Sequence, residues 1–330
     1  AGAGGFGKAL RTVPVVLELA ELVRRQAAPG AWIVDFTNPV GIVTQALLDA
    51  GHRAVGLCNV AIGLQRRFAE LLGVDPDRLA LEHVGLNHLT WERAVNLDDG
   101  TDLLPELLDR HADPLAEHLQ LPASLLRDLA AIPSRYLRFY YRTGELLAAQ
   151  RAGDVRARAV QRIEQELLAL YRDQELDTKP PLLLQRGGRY YSEAAIRLIA
   201  SLHDDRGDVQ VVNVRNQGAI PDLPDDAVVE LPARIGAAGA YPVPQRPLPP
   251  ELLGLVQQVK AYERLAVTAA VTGDRRTARL ALLTNPLVGQ AAAAEAILAA
   301  ILTAHREHLP AFFPADADSA DDLKLVRSPS

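Results

Sequence analysis

The chain has 330 residues, 48% of them hydrophobic and 23% charged, with a formal net charge of −6 at pH 7. These proportions are ordinary for a globular protein long enough to bury a large core. The acidic balance argues against nucleic acid as a partner, and no apolar stretch approaches the roughly 18 uncharged residues of a membrane span. The one cysteine, Cys58, excludes an internal disulfide and suits a reducing compartment, so we expect a cytoplasmic enzyme.

The first residues formally match a dinucleotide-binding fingerprint, Gly2-x-Gly4-x-x-Gly7. That fingerprint needs a strand before the glycines and a helix after them, so that the pyrophosphate lies at the helix N-terminus. No strand can precede Gly2 in the sequence given, which also begins without methionine. We therefore expect a flexible glycine turn here, and a natural start that lies upstream.

The first 75 residues alternate between helical and strand-like patterns. The predicted elements, in chain order, are helix 12–26, strand 31–36, helix 40–50, strand 54–57 and helix 61–72. This alternation predicts a parallel sheet of the α/β class with right-handed crossovers. Ligands of such sheets collect beyond the carboxyl ends of the strands, which is where Asn38 and Cys58 lie.

The pattern changes after residue 76. The predicted elements are one or two strands in 79–97, helical regions 103–129 and 136–171, helix 192–202, strand 209–212, irregular chain 221–250, and helices 251–271 and 274–303. We therefore predict residues 1–76 as the C-terminal half of a dinucleotide-binding domain and 77–314 as an α+β domain for substrate and metal. Residues 315–330 are predicted to be a disordered tail.

Cys58 and His88 stand out as candidate metal ligands, in the frames Gly-Leu-Cys-Asn and Gly-Leu-Asn-His. A thiolate and an imidazole on neighbouring loop ends would suit a borderline-soft divalent metal. Free cysteine is also often a packed core residue, and a lone histidine is often only hydrogen-bonded. The residues by themselves leave both interpretations open.

Three further groups could carry chemistry. Tyr136 begins a predicted helix and could act as a base if a cation lowered its pKa, or it could belong to an aromatic helix face. Arg186 stands before a glycine pair and a second arginine, which could bind an anion or form an ordinary turn. Asn213 and Asn216 follow a strand and could bind a polyol or hold a turn.

Eight segments together resemble one enzyme family. They are 11–14 (RTVP), 36–39 (FTNP), 55–60 (VGLCNV), 85–88 (GLNH), 132–136 (IPSRY), 186–192 (RGGRYYS), 212–218 (VNVRNQG) and 223–226 (LPDD). In this order they resemble glycoside hydrolase family 4, and most closely its 6-phospho-β-glucosidases. Asn59, directly after the cysteine, is typical of that branch, since members acting on α-glucosides usually carry aspartate there.

The resemblance implies a fold and a reaction. The fold is a partial Rossmann-like sheet followed by a domain resembling the C-terminal domain of lactate and malate dehydrogenases. The reaction is hydrolysis of 6-phospho-β-glucosides, for instance phosphorylated disaccharides. NAD would oxidise the sugar at C3, a metal would assist deprotonation at C2, and elimination, water addition and re-reduction would follow, which departs from two-carboxylate glycosidases.

The resemblance also implies roles for residues. Manganese or another divalent metal would be held by Cys58 and His88, and Tyr136 would remove the C2 proton, with Tyr191 as the alternative base. Thr37 and Asn38 are expected at the nicotinamide. The residues expected at the phosphorylated sugar substrate are Asn38, Asn59, Asn87 and Arg186. A homo-oligomer, dimer or tetramer, is expected.

Two alternatives remain at this stage. An NAD-dependent 2-hydroxyacid dehydrogenase would share the strand–Asn-Pro–helix layout but would not need Cys58. A non-catalytic relative is the other, because family members carry a strand and a glycine-rich phosphate loop before the region that matches Ala1. Without that segment we expect an exposed sheet edge and impaired NAD binding.

Overall fold

The computed structural model of the chain describes residues 2–153 and 155–314, which form two compact units. Unit 1 contains the described residues of 1–56, 213–230 and 244–330, and unit 2 contains 57–212 and 231–243, without residue 154. Compactness thus divides the chain differently from the predicted boundary at 76/77. The predicted disordered tail, 315–330, lies outside the described residues. Over the described ranges, no helix is both long enough and apolar enough to cross a membrane.

Eight strands and fourteen α-helices make up the described part of the chain. The strands are β1 (Ile33–Asp35), β2 (Ala54–Gly56), β3 (Leu79–Leu86), β4 (Leu89–Leu97), β5 (Ile132–Pro133), β6 (Asp208–Arg215), β7 (Val228–Gly236) and β8 (Gly239–Pro242). The helices are α1 (Gly2–Gln26), α2 (Val40–Asp49), α3 (Val60–Leu72), α4 (Leu104–Arg110), α5 (Ala112–Leu119), α6 (Ala123–Leu129), α7 (Arg138–Tyr141), α8 (Thr143–Arg151), α9 (Arg156–Leu170), α10 (Leu183–Arg186), α11 (Tyr191–Asp204), α12 (Pro250–Thr272), α13 (Arg275–Thr284) and α14 (Ala291–Ala304).

In unit 1, helix α1 begins ten residues earlier than the predicted start at Thr12. Its buried face includes Phe6, Leu10 and Val13, whose spacing of three and four residues is that of a helical stripe. The glycines of the formal fingerprint therefore lie within a helix, so the predicted glycine turn is wrong. The apolar stripe extends through Phe6 and outweighs the low helix propensity of glycine.

In unit 1 the strand order is β1-β2-β6-β7, to which β6 contributes residues 213–215 and β7 residues 228–230. Strand β1 pairs parallel with β2, and β2 pairs antiparallel with β6 through Gly56 and Asn213. The predicted strand–helix–strand–helix order over 31–72 is confirmed, with strands that are shorter than predicted. The last predicted helix, 274–303, is instead two helices, α13 and α14, because Pro286 cannot continue α13.

The sheet of unit 2 has the order β6-β7-β3-β4-β5, with β8 also paired to β7. Strands β3 and β4 form an antiparallel hairpin with Asn87-His88 at its turn, where the sequence predicted one or two strands. A core of leucine, valine and phenylalanine side chains from α3, β3, β4 and helices α4 to α6 packs in this unit. The hairpin thus rests on a continuous apolar core.

The predicted helical regions of unit 2 are broken into shorter pieces. Region 103–129 contains α4, α5 and α6, because Gln120 adopts a left-handed φ of 58° and Pro122 follows it. Region 136–171 begins with a 3₁₀ turn, Arg135–Leu137, and continues as α7, α8 and α9. Charge spacing on a helix face does not register such local breaks.

Candidate active site

The predicted site residues are divided between the two units. Thr37 and Asn38 belong to unit 1, and the others, Cys58, Asn59, Asn87, His88, Tyr136, Arg186 and Tyr191, belong to unit 2.

In unit 1, the segment after β1 is fixed by a buried carboxylate. Asp35 accepts a hydrogen bond from the Thr37 N–H at 2.9 Å and one from the Thr44 hydroxyl at 3.3 Å. Burial raises the pKa of the Asp35 carboxyl, and the hydrogen bonds from Thr37 and Thr44 oppose that effect. Thr37 is exposed and Asn38 is half-buried, so both side chains can meet a ligand at the end of the strand.

In unit 2, Cys58 and Asn59 stand between β2 and α3. Cys58 is 5% exposed, which fits both a packed thiol and a shielded metal ligand. The Asn59 side-chain amide donates to the Arg189 carbonyl at 2.9 Å. This bond ties the start of α3 to the segment before α11, two segments that are far apart in sequence.

The turn of the β3–β4 hairpin consists of Asn87 and His88. His88 has a φ of 65°, in the left-handed region that residues other than glycine rarely adopt. Three positions before His88, Gly85 has a φ of 142°, and a Cβ there would overlap the Leu89 carbonyl oxygen. Strain of this kind at a polar residue is characteristic of functional sites.

Tyr136 lies against His88. Strand β5 pairs with β4, the Ser134 N–H donates to the Thr90 carbonyl at 2.8 Å, and the 3₁₀ turn follows directly. The rings of His88 and Tyr136 stack with centroids 3.6 Å apart and planes 9° from parallel. Two residues predicted for one site, 48 positions apart in the chain, are therefore in contact.

Tyr136 and Asn59 line one cavity of about 690 Å³ in unit 2. Four arginines also line it, and two of them are engaged: Arg67 with Glu70 at 2.8 Å, and Arg66 with Glu193. The cavity is also lined by Arg135, Arg189, His118, Tyr190 and the pair Gly187-Gly188. Burial, with the cations Arg67 and Arg135, lowers the pKa of His118. The cavity therefore combines the candidate base with a strongly cationic wall.

Of the two arginines in segment 186–192, Arg189 lines this cavity, whereas the predicted residue was Arg186. Arg186 ends α10 and is exposed, with its guanidinium 3.3 Å from Glu164. Arg189 of the same motif lies on the cavity, next to Gly187 and Gly188, whose φ values of 108° and 87° turn the chain. Sequence reasoning noted two arginines in this motif and selected the first, because nothing in the sequence shows which way the turn directs each side chain.

Cys58 lines a different cavity of unit 2, of about 310 Å³, whose walls are mostly apolar. Tyr190 rather than Tyr191 lines the larger cavity within the described part of the chain, and Tyr191 is the first residue of α11. The structure thus brings Tyr136 together with His88 and Asn59.

The side chains of Asn213 and Asn216 form hydrogen bonds to other residues of the protein. The Asn216 amide donates to the carbonyls of Ile220 and Leu223 at 2.9 Å each and accepts from the Ile220 N–H at 2.7 Å. Asn213 donates to Glu230 at 2.8 Å, and both side chains are buried. These bonds favour the turn-holding interpretation over contact with a polyol.

The donor set fits a metal only if substrate completes it. Among the described residues, no group of three or more histidine, cysteine, aspartate or glutamate side chains could hold a metal. Cys58 and His88 would supply a thiolate and an imidazole, a pair suited to borderline divalent ions, and leave the other positions to oxygen ligands of the substrate. Two protein ligands are few for a resident structural metal and suit one that is completed by substrate.

Comparison with known proteins defines the class. Residues 1–74 match the model described as family 4 glycosyl hydrolase, and residues 83–288 match that of the family 4 glycosyl hydrolase C-terminal domain. The chain belongs to glycosyl hydrolase family 4, which confirms the predicted resemblance.

Individual relatives show which enzymes of the family this chain resembles. The chain is 43% identical to a probable 6-phospho-beta-glucosidase of Bacillus subtilis (strain 168), over 94% of this chain and 73% of the relative. It is similar to the 6-phospho-beta glucosidase of Thermotoga maritima solved with NAD and glucose-6-phosphate, with a TM-score of 0.85 and 34% identity over 93% of this chain and 74% of that one. A further structure of that enzyme, with manganese, NAD+ and glucose-6-phosphate, has a TM-score of 0.83 at 33% identity, over 93% of this chain and 73% of that one.

A more distant similarity concerns the fold alone. A lactate dehydrogenase from a deep-sea metagenome library has a TM-score of 0.50 at 12% identity, over 80% of this chain and 70% of that one. The predicted fold class, Rossmann-like with a domain resembling that of the lactate and malate dehydrogenases, is confirmed.

Proposed function

We propose that this chain hydrolyses 6-phospho-β-glucosides with the help of NAD and a divalent metal, with manganese as the first candidate. The observation that supports it most is the stacking of Tyr136 on His88 at 3.6 Å, which places a candidate base beside a candidate metal ligand. The Thermotoga maritima structures, which hold NAD, manganese and glucose-6-phosphate, support the choice of cofactors.

In this proposal Cys58 and His88 hold the metal, and Thr37 and Asn38 face the nicotinamide. When bound, NAD would supply reversible hydride transfer at C3 of the sugar, and the metal would supply Lewis-acid polarisation of the resulting ketone. The stacking on Tyr136 restricts the orientation of the His88 imidazole, so that little conformational entropy is lost when the ligand binds.

Tyr136 acts on the proton at C2. Next to a C3 ketone this proton is acidic, and the phenolate oxygen accepts it while the C1–O bond to the aglycone breaks and a C1–C2 double bond forms. Water then adds at C1: its hydroxyl bonds to C1, its other proton passes to the oxygen of the departed aglycone, and the Tyr136 hydroxyl returns the first proton to C2. Positioned general bases of this kind typically contribute roughly 10²- to 10⁴-fold to the rate.

The cationic wall of the larger cavity suits the phosphate ester. Arg135 and Arg189 line it and are exposed, whereas Arg66 and Arg67 form ion pairs with glutamates. Guanidinium groups bind phosphate oxygens through paired, charge-assisted hydrogen bonds. Arg189 thus joins Arg186 as a candidate for phosphate binding, and Asn59 lies on the same cavity as a candidate for the sugar hydroxyls.

The experiment is hydrolysis of a chromogenic 6-phospho-β-glucoside, with NAD and Mn²⁺ each added or withheld. We expect activity only with both, and a loss of about 10²-fold or more in Tyr136→Phe. Tyr191→Phe is the matched control, because it removes the alternative base. Proton exchange at C2 in heavy water should disappear in Tyr136→Phe and persist in Tyr191→Phe.

Four outcomes would contradict parts of the proposal. Activity without both cofactors would exclude the mechanism, and loss of exchange in Tyr191→Phe alone would reassign the base. Full activity of Cys58→Ser on a 2-hydroxyacid would support the dehydrogenase alternative. An intact fold that binds no NAD in calorimetry would support a non-catalytic relative. The expected homo-oligomer, the absence of a nucleic-acid partner and the cytoplasmic location stay predictions.

A further inference from the structure

The hairpin that carries His88 contains a buried ionisable pair that the proposed reaction does not use. His83 Nδ1 lies 2.6 Å from Glu92 Oε1, and both side chains have no exposed surface. The two residues are direct partners across β3 and β4. An ionisable pair this deeply buried is costly to form, so its retention calls for a reason other than stability.

The pair stands where the register of the hairpin is set. Leu81 pairs with Val95, but His83 pairs with Glu92, so the register shifts by one residue between them. From His83 and Glu92 onward the pairing continues without a break to Leu86 and Leu89, which flank the turn. The pair is thus the first paired position after the irregularity on the way to the turn.

A slip by one residue here would have a specific consequence. Every side chain from His83 to the turn would move to the opposite face, and His88 would leave its place against Tyr136. The slip would also separate His83 from Glu92 and leave each buried without its partner. Because an uncompensated buried charge is far more costly than a misplaced apolar side chain, the pair penalises the wrong register strongly.

We propose that His83 and Glu92 are positioning residues that fix the register of β3 on β4 and thereby hold His88 against Tyr136. This inference rests on the proposed function only in that His88 is taken as a metal ligand. The register itself is a property of the fold. Fixing a register is the best-attested use of a buried polar pair.

The same hairpin offers a matched control. Glu82 and Arg93 form a second cross-strand pair at 2.7 Å, with 19% and 8% of their side chains exposed. They are the chain neighbours of His83 and Glu92, lie at the same register shift and remain partly exposed. Glu82→Gln removes a charge from the same hairpin without touching the fully buried pair.

The experiment compares Glu92→Gln, the double variant His83→Leu with Glu92→Leu, and Glu82→Gln. The first readout is the hydrogen-exchange protection of the Ser134 amide, which donates to Thr90 on β4 at 2.8 Å and so reports whether β4 keeps its place against the segment that carries Tyr136. The second is the affinity for Co²⁺ with glucose-6-phosphate present to complete the site, followed by the absorption band of a thiolate-bound ion. The third is the midpoint of thermal unfolding.

We expect Glu92→Gln to reduce Ser134 protection about tenfold or more and to weaken Co²⁺ binding by roughly 10- to 100-fold. The apolar double variant should recover the midpoint of thermal unfolding, but it should recover neither the Ser134 protection nor the Co²⁺ affinity. Glu82→Gln should leave the Ser134 protection and the Co²⁺ affinity near their wild-type values.

Recovery of Ser134 protection and Co²⁺ affinity in the apolar double variant would overturn the proposal, because the pair would then contribute only stability. An equal effect of Glu82→Gln would overturn it as well. A wild-type chain that binds no Co²⁺ would contradict the proposed metal site, while the loss of Ser134 protection in Glu92→Gln and in the apolar double variant would still support the role in register.

Discussion

Two Gly-Leu frames lead to the two predicted metal ligands, and each needs its glycine for a different physical reason. A Cβ at Gly56 would overlap the Thr44 hydroxyl and lie 2.7 Å from the Asn213 Cβ, so side chains exclude it. At Gly85 the obstacle is the Leu89 carbonyl, and the φ of 142° is unfavourable for any other residue. Crowding by side chains can be relieved by a second substitution, whereas crowding by the backbone cannot.

Gly85→Ala tests the backbone half of this comparison and should have the largest effect. The Cβ overlaps backbone on the partner strand, so the turn must shift or the strands must separate. We expect a loss of at least about 4 kcal/mol in the free energy of unfolding, measured by denaturant titration. Ser134 amide protection should fall with it.

The control for this variant is Gly63→Ala within α3. No atom lies within 4 Å of the Cβ position there, and the backbone is helical. We expect a change between zero and a gain of about 1 kcal/mol, because alanine favours helix. If Gly85→Ala were as mild as Gly63→Ala, the conformation of the turn would not require glycine.

Gly56→Ala tests the side-chain half. We expect a loss of about 2 to 3 kcal/mol from overpacking. Thr44→Ala in the same chain should restore part of it, with a coupling of about 1 kcal/mol in the double-mutant cycle, measured by denaturant titration. Full recovery is not expected, because Asn213 still crowds the position.

The two substitutions would prove additive if Thr44 did not limit the space at Gly56. In that case the contrast between the two glycine frames would fail. Thr44→Ala alone measures the cost of the lost hydrogen bond to Asp35 and completes the cycle.

Asp35→Asn addresses the carboxylate that orders the same corner of unit 1, and should have the smallest effect. Burial raises the pKa of Asp35 in the folded state, so the folded chain holds this proton more tightly than the unfolded chain does. The favourable contribution of the proton is complete below the unfolded pKa, near 3.8, and is lost as the pH rises through the folded pKa.

The asparagine variant cannot titrate. Its unfolding free energy relative to wild type should therefore increase as the pH rises from near 4 towards neutrality, in urea titrations at several pH values. A difference that did not vary with pH would show that Asp35 titrates alike in both states.

Much of the fold followed from local patterns. Alternating helix and strand over residues 31–72 predicted the parallel pair, and the apolar pattern of residues 79–97 predicted one or two strands there. These predictions succeeded because hydrophobic periodicity and chain breaks act over a few residues. The same logic failed at the glycine-rich start, where the buried face of α1 outweighed local preference, and in region 103–129, where Gln120 interrupts the helix.

The site divides along a similar line. The sequence alone determined the residue types, the short frames around Cys58 and His88, and the family, because side-chain chemistry and chain order are local properties. Only the tertiary structure decided that Tyr136 stacks on His88, that Arg189 rather than Arg186 lines the cavity, and that His83 meets Glu92. Each of these depends on strand pairing, register or turn direction, which are set by long-range packing and cannot be read from neighbouring residues.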